Sequence, residues 1–83
     1  MPEEIFVRLG ARIRKLRKQK GWRQIDLAQH SGIHEVHLSH LERGNREIGF
    51  LHLAALAKAF GITMSVMLEG IDEQESKAVS QVS

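Results

Sequence analysis

The sequence predicts an all-α domain of five short helices, and three observations carry that expectation. Apolar residues return at intervals of three and four through most of the chain, as one face of a helix requires. No stretch alternates apolar and polar residues with the period of two that a half-buried strand needs. Glycines at 21, 32, 44 and 61 fall between the periodic segments, where helices commonly stop.

In the first helix Ile5, Leu9, Ile13 and Leu16 form one apolar stripe, with Phe6 beside it. Gly21 ends it, and Lys18 and Lys20 sit in the last turn, at the negative end of the helix dipole. A second helix runs from about Gln24 to His30 with Leu27 and Ala28 inward, and Ser31-Gly32 breaks it. A third begins near His34 and ends at Gly44, with Leu38 and Leu41 inward. The polar turn "GNREIG" leads to a fourth helix, whose Phe50, Leu53, Leu56, Ala57 and Phe60 share a face. Gly61 stops that helix, and Thr63 can cap a short fifth one, "MSVML". The domain is expected to span residues 5–70, and the small polar residues of 71–83 form a tail expected to be frayed or disordered.

At 83 residues the chain has room for one small domain, and its 42% hydrophobic and 27% charged residues are an ordinary globular mixture. With no cysteine to form a disulfide, stability must come from helix packing, a second subunit, or both. "MPEEIFVRLG" lacks the basic start and apolar run of a secretory signal, and no segment reaches the ~18 apolar residues of a membrane span. A cytoplasmic, nucleoid-associated protein with no membrane contact is expected. The net charge of +2 conceals an asymmetry: eight Lys or Arg and no acid lie between Ile5 and Arg23, and four acids against Lys77 follow from Glu69. A basic body favours a polyanionic partner, although a solvated helix face has the same composition.

The short helices on either side of Ser31-Gly32 have helix-turn-helix spacing, in which the second helix enters the major groove of DNA. A generic helical hairpin would share that spacing. The wider sequence is more specific. "LR…KG" in the first helix, "Q..LA" in the second, "SGI" at the turn, "LS.LERG" in the third and "L..LAKAFGI" in the fourth together resemble the lambda-repressor-like, or xenobiotic-response-element, family of transcriptional regulators. The resemblance covers roughly Leu9 to Leu68, and "LERGNRE" also looks like the controller proteins of restriction–modification systems. It implies a compact five-helix fold that binds double-stranded DNA at a roughly palindromic operator as a homodimer, with helix 34–43 in the groove.

A helical wheel at about 100° per residue separates the faces of the third helix independently of any family. Leu38, Leu41 and His34 point inward; Val36, Ser39, His40 and Arg43 point outward, with Glu35 at the edge. Glu35, Val36, Ser39 and His40 are therefore the candidate base readers, and Arg43 a phosphate contact. Glu35 can accept from the cytosine amino group, and Val36 can touch a thymine methyl. The resemblance adds Gln24, Asn45 and Arg46 as DNA-backbone contacts. Arg23 stands where such proteins usually carry a Ser or Thr cap, a loss of ~1 kcal/mol that a phosphate contact can offset. The resemblance also implies a buried or half-buried ion pair between Arg17 and Glu42. The other basic residues of the first helix are expected to be mostly solvated.

His34, His37 and His40 recur every three residues, but "HEVH" has one residue fewer than the zinc-protease motif between its Glu and second His. His34 inward and His40 outward diverge, so neither a metal site nor a cofactor is expected. His40 toward DNA would gain charge near its ordinary pKa of ~6.5, which predicts tighter binding at mildly acid pH. An enzyme is not expected, because there is no Cys nucleophile, no Gly-rich phosphate loop and little volume for a substrate pocket; no small-molecule ligand is expected either. The rival reading is a protein-binding module such as the antitoxin of a toxin–antitoxin pair. Leu51, Ala54 and Ala55 lie opposite the core residues of the fourth helix, and Val66 and Ile71 follow. Leu51, Ala55, Val66 and Ile71 are the candidate dimer interface, or the docking face for another protein.

Overall fold

A computed structural model describes residues 2–72, and within them the chain is five α-helices: α1 (Pro2–Gln19), α2 (Gln24–Ser31), α3 (Glu35–Arg43), α4 (Phe50–Phe60) and α5 (Met64–Leu68). The expected order and count are met, and α1 begins earlier than expected. Proline lacks the N–H that the first helical position would leave without a partner, so Pro2 opens the helix rather than delaying it. The tail expected to be frayed or disordered lies, after Asp72, outside the described residues.

One core joins all the helices: Leu9 and Ile13 from α1, Leu27 from α2, Leu38 and Leu41 from α3, Leu53, Leu56, Ala57 and Phe60 from α4, and Met67 from α5, with Ile33 between α2 and α3. α1 lies against α3 and α4, and α2 against α3 and α4. The closest approach is at Gly10, whose backbone rests on the end of α3. A Cβ there would meet the carbonyl oxygens of Leu41 and Glu42, the second at 2.6 Å. Only hydrogen fits, so glycine at this position sets the α1–α3 distance.

Three expectations about the core fail. Ile5, placed in the apolar stripe of α1, is 39% exposed, a turn ahead of the first buried residue of that stripe, Leu9. Phe50 is 71% exposed rather than inward. It is the first residue of α4, one turn before Leu53, the first buried residue of that helix. Ile71 is 7% exposed and packs in the chain's own core, so it does not offer surface to a second copy.

Arg8 and Arg12 hold that C-terminal segment in place. Arg12 donates from Nη1 to the Met67 carbonyl and from Nη2 to the Glu69 carbonyl, both at 2.9 Å, and Arg8 Nε donates to the Ile71 carbonyl at 2.6 Å. The last carbonyls of so short a helix lack intrahelical partners; Arg12 satisfies that of Met67 in α5, and the two guanidinium groups reach on to the Glu69 and Ile71 carbonyls just beyond it. These arginines were expected to be solvated; their work is structural. Thr63 caps the other end of α5, its Oγ1 accepting from the Val66 N–H at 3.1 Å.

Trp22, in the α1–α2 turn, is half-buried and stacks on Phe60 of α4 at 6.0 Å and on His30 of α2 at 4.2 Å. The Lys20 ammonium lies 5.7 Å from the same ring. The turn is thereby tied to the far ends of two helices.

Candidate nucleic-acid interface

The turn between α2 and α3 determines how α3 is presented. α2 ends at Gly32, whose φ of +78° is a left-handed conformation that a side chain would strain, and its N–H donates to the Ala28 carbonyl at 2.9 Å. Ser31 Oγ accepts from the Ile33 N–H at 3.1 Å, and Ile33 is buried. α3 then starts with His34 as its cap: Nδ1 accepts from the Val36 N–H at 3.1 Å. This corrects the inward placement of His34. It is exposed because the helix begins one residue later, and a capping residue lies outside the helical wheel.

Burying Leu38 and Leu41 turns the opposite side of α3 to solvent. Glu35, Val36 and Arg43 are exposed, Val36 at 59%, and Ser39 and His40 are half-exposed between them. Three of these side chains are already linked. Arg43 Nη1 donates to Ser39 Oγ at 2.7 Å, and its Nη2 lies 3.2 Å from His40 Nδ1. The guanidinium is thus fixed across the outer face, with two candidate base readers ordered around it.

Below α3 the Arg17–Glu42 pair is buried, with Nε to Oε2 at 2.7 Å and Nη2 to Oε1 at 3.1 Å. Arg17 Nη1 also donates to the Trp22 carbonyl at 2.8 Å, and Gln24 Nε2 donates to Glu42 Oε1 at 3.1 Å. One carboxylate therefore gathers α1, α2 and α3, and it holds the half-buried Gln24 amide of α2 against α3.

Arg23 is exposed at the start of α2. The Asp26 carboxylate accepts from the Arg23 N–H at 2.8 Å and from its guanidinium at 3.1 Å through each oxygen. The missing Ser or Thr cap is replaced from the third residue of the helix. That hydrogen-bonded guanidinium, helped by the Arg23 N–H, holds the Asp26 carboxyl below the usual carboxylate range. Asn45 and Arg46, in the turn after α3, are both exposed.

The other candidate surface is apolar. Leu51 is 79% exposed and Val66 49% exposed, and Phe50, expected on the core face, is exposed as well. Ala55 is half-buried against the core, so it contributes less than expected. His37 and His52 were not paired by any sequence spacing, yet their ring centroids are 4.9 Å apart, tilted by 58°. Partial burial pushes the His37 pKa down, and the positive charges of His52, Arg46 and His40 act in the same direction. Among the described residues no three His, Cys, Asp or Glu side chains converge to hold a metal, and no helix is long and apolar enough to cross a membrane.

Known proteins share this arrangement. A family model described as helix-turn-helix matches residues 13–67. The HTH-type transcriptional regulator DdrOP3 of Deinococcus deserti is 38% identical over 66 residues, covering 80% of this chain and 51% of that one. The control protein C.MunI of a Mycoplasma species is 30% identical over 76 residues, covering 86% and 97%. The crystal structure of the restriction–modification controller protein C.AhdI from Aeromonas hydrophila superposes with a TM-score of 0.72 at 34% identity, covering 75% of this chain and 94% of that one. The chain spans about half the length of DdrOP3 and nearly all of C.MunI and C.AhdI.

Proposed function

The chain belongs to the helix-turn-helix family, and from that premise we propose that it is a sequence-specific DNA-binding transcriptional regulator, bound as a homodimer to a roughly palindromic operator. The observation that carries this reading is the outer face of α3. Glu35, Val36, Ser39 and His40 stand on a helix whose inner face is locked into the core, with Arg43 clamped among them. Side chains fixed before binding lose little conformational freedom on docking, as base readout requires.

In this reading Glu35 accepts from a cytosine amino group, Val36 meets a thymine methyl, and Ser39 and His40 hydrogen-bond to base edges. Arg43, Asn45 and Arg46 bind phosphates; Gln24 adds a contact from α2, and Arg23 does so by exchanging Asp26 for a phosphate. Two-fold reading needs two α3 helices about one DNA turn apart. Phe50, Leu51 and Val66 supply the apolar surface for that pairing. Regulation is by occupancy, blocking or recruiting polymerase according to where the operator lies, on the nucleoid in the cytoplasm. The names of the relatives, transcriptional regulators and controller proteins rather than enzymes, support the same class.

The test is selection from random duplex DNA followed by binding at two salt concentrations. Enrichment of a two-fold symmetric site with half-sites one helical turn apart is expected. Affinity should fall by ~10³-fold or more between 50 and 200 mM salt if about six phosphates are neutralised. If no sequence is enriched, the reading fails, and the exposed Phe50–Leu51 surface becomes the place to look for a protein partner such as a toxin.

A further inference from the structure

The sequence invites a search for metal ligands along the third helix, where the histidines repeat, and none is expected there. The fold brings together a different pair. His37 lies in the first turns of α3 and His52 in the first turn of α4, fifteen positions apart in the chain. We propose that His37 and His52 form a two-imidazole site for a borderline divalent transition ion of the zinc or nickel class, bridging α3 to α4.

The geometry supports this. With metal–nitrogen bonds of about 2.0–2.1 Å and tetrahedral angles, two imidazoles on one ion hold their ring centroids on the order of 5 Å apart. The observed 4.9 Å matches, and the tilt of 58° excludes a face-to-face stack that would close the gap. A rotation of either ring about its Cβ–Cγ bond selects which nitrogen faces the ion. His52 is exposed and His37 half-exposed, so the site has an entry path, and water can complete the coordination. The groups facing His37 are His52, Arg46 and His40; His40 is engaged with Arg43, and the Arg46 charge weakens the site without blocking it. Two ligands with a cation nearby make a weak, exchangeable site, which suits modulation more than folding. Tying α3 to α4 at this point would stiffen the support of the recognition helix. The inference stands on the pair itself and does not depend on the DNA reading.

The experiment uses the full chain, freed of metal by chelator, with zinc chloride and separately nickel chloride as probes. Thermal unfolding and calorimetric titration are read on the parent and on His37→Gln, His52→Gln, His34→Gln and His40→Gln. The proposal expects one ion per chain and a rise in Tm of about 5 °C or more at saturating ion. It expects that rise to vanish in His37→Gln and in His52→Gln and to persist in the other two. No rise in the parent overturns the proposal, as does a rise that survives His52→Gln. Because His52 is exposed, His52→Gln keeps the fold and makes that last comparison decisive.

Discussion

Arg17 and Glu42 meet across 25 residues of sequence through two near-parallel hydrogen bonds, 2.7 and 3.1 Å long, with both side chains almost wholly removed from water. Neither charge can be removed alone without stranding the other in a medium that solvates it poorly. Arg17→Ala or Glu42→Ala should each cost about 3–5 kcal/mol of stability, measured by urea unfolding. The paired change Arg17→Met with Glu42→Leu should recover most of that loss. A double-variant loss equal to the sum of the two single losses would mean that the pair does not act as a unit.

The Gly10 contact predicts a second steric effect on stability. Gly10→Ala forces α1 away from the Leu41 and Glu42 carbonyls and should destabilise by roughly 1–3 kcal/mol. Gly49 is the opposite case. It caps α4 without a side-chain acceptor, its φ of −78° suits any residue, and open space surrounds it. Gly49→Ser should add about 0.5 kcal/mol. Thermal unfolding of both variants checks the contrast, and a harmless Gly10→Ala would mean a looser α1–α3 seam than described.

On the outer face of α3, Arg43 holds Ser39 and His40. Arg43→Ala should therefore weaken operator binding by more than one phosphate contact and also relax sequence preference. Combined with Ser39→Ala, the losses should sum to less than the two single effects, because both variants break the same contact. Arg46→Ala should weaken binding about equally on all sequences and lower the salt slope by about one. Electrophoretic mobility shifts at three salt concentrations separate these outcomes.

Asp26 titrates below its ordinary range because Arg23 hydrogen-bonds the ionised form. A carboxylate whose pKa falls on folding stabilises the fold above its unfolded pKa of ~3.9 and loses that contribution as pH drops through the lower folded value. The parent should thus lose stability below about pH 4 more steeply than Asp26→Asn, which has no proton to gain. Acid unfolding followed by circular dichroism tests this, and superimposable curves would count against the Arg23–Asp26 cap.

Self-association should depend on Leu51 and Val66. Leu51→Glu and Val66→Glu place charges on exposed apolar surface, so neither should disturb the monomer's fold. Each should raise the dimer dissociation constant ~10-fold or more, read by sedimentation equilibrium. If both variants associate as the parent does, the two-fold axis lies elsewhere.

Much of this protein is written locally. The 3.6-residue period fixes which side chains oppose Leu38 and Leu41, so the outward set on α3 follows from sequence alone. Gly32, Gly44 and Gly61 close helices through contacts within five residues, and Thr63 caps α5 within three. Such interactions need only neighbouring residues, which is why the element order and the all-α class were legible. His34 shows the limit: one residue's shift in the helix start turns an inward side chain into an exposed cap.

Tertiary structure alone decided the rest. Whether Phe50 is inside depends on what packs against the first turn of α4, and no period along α4 records that. Ile71 packs into a core built from helices far from it in sequence, and Arg8, 63 residues earlier, holds its carbonyl. The basic residues of α1 look alike in sequence, yet Arg12 serves the end of α5 and Arg17 serves α3. His37 found its neighbour on another helix rather than along its own. Helical periodicity dictates the face a side chain occupies; only the packing of one helix on another dictates what that face meets.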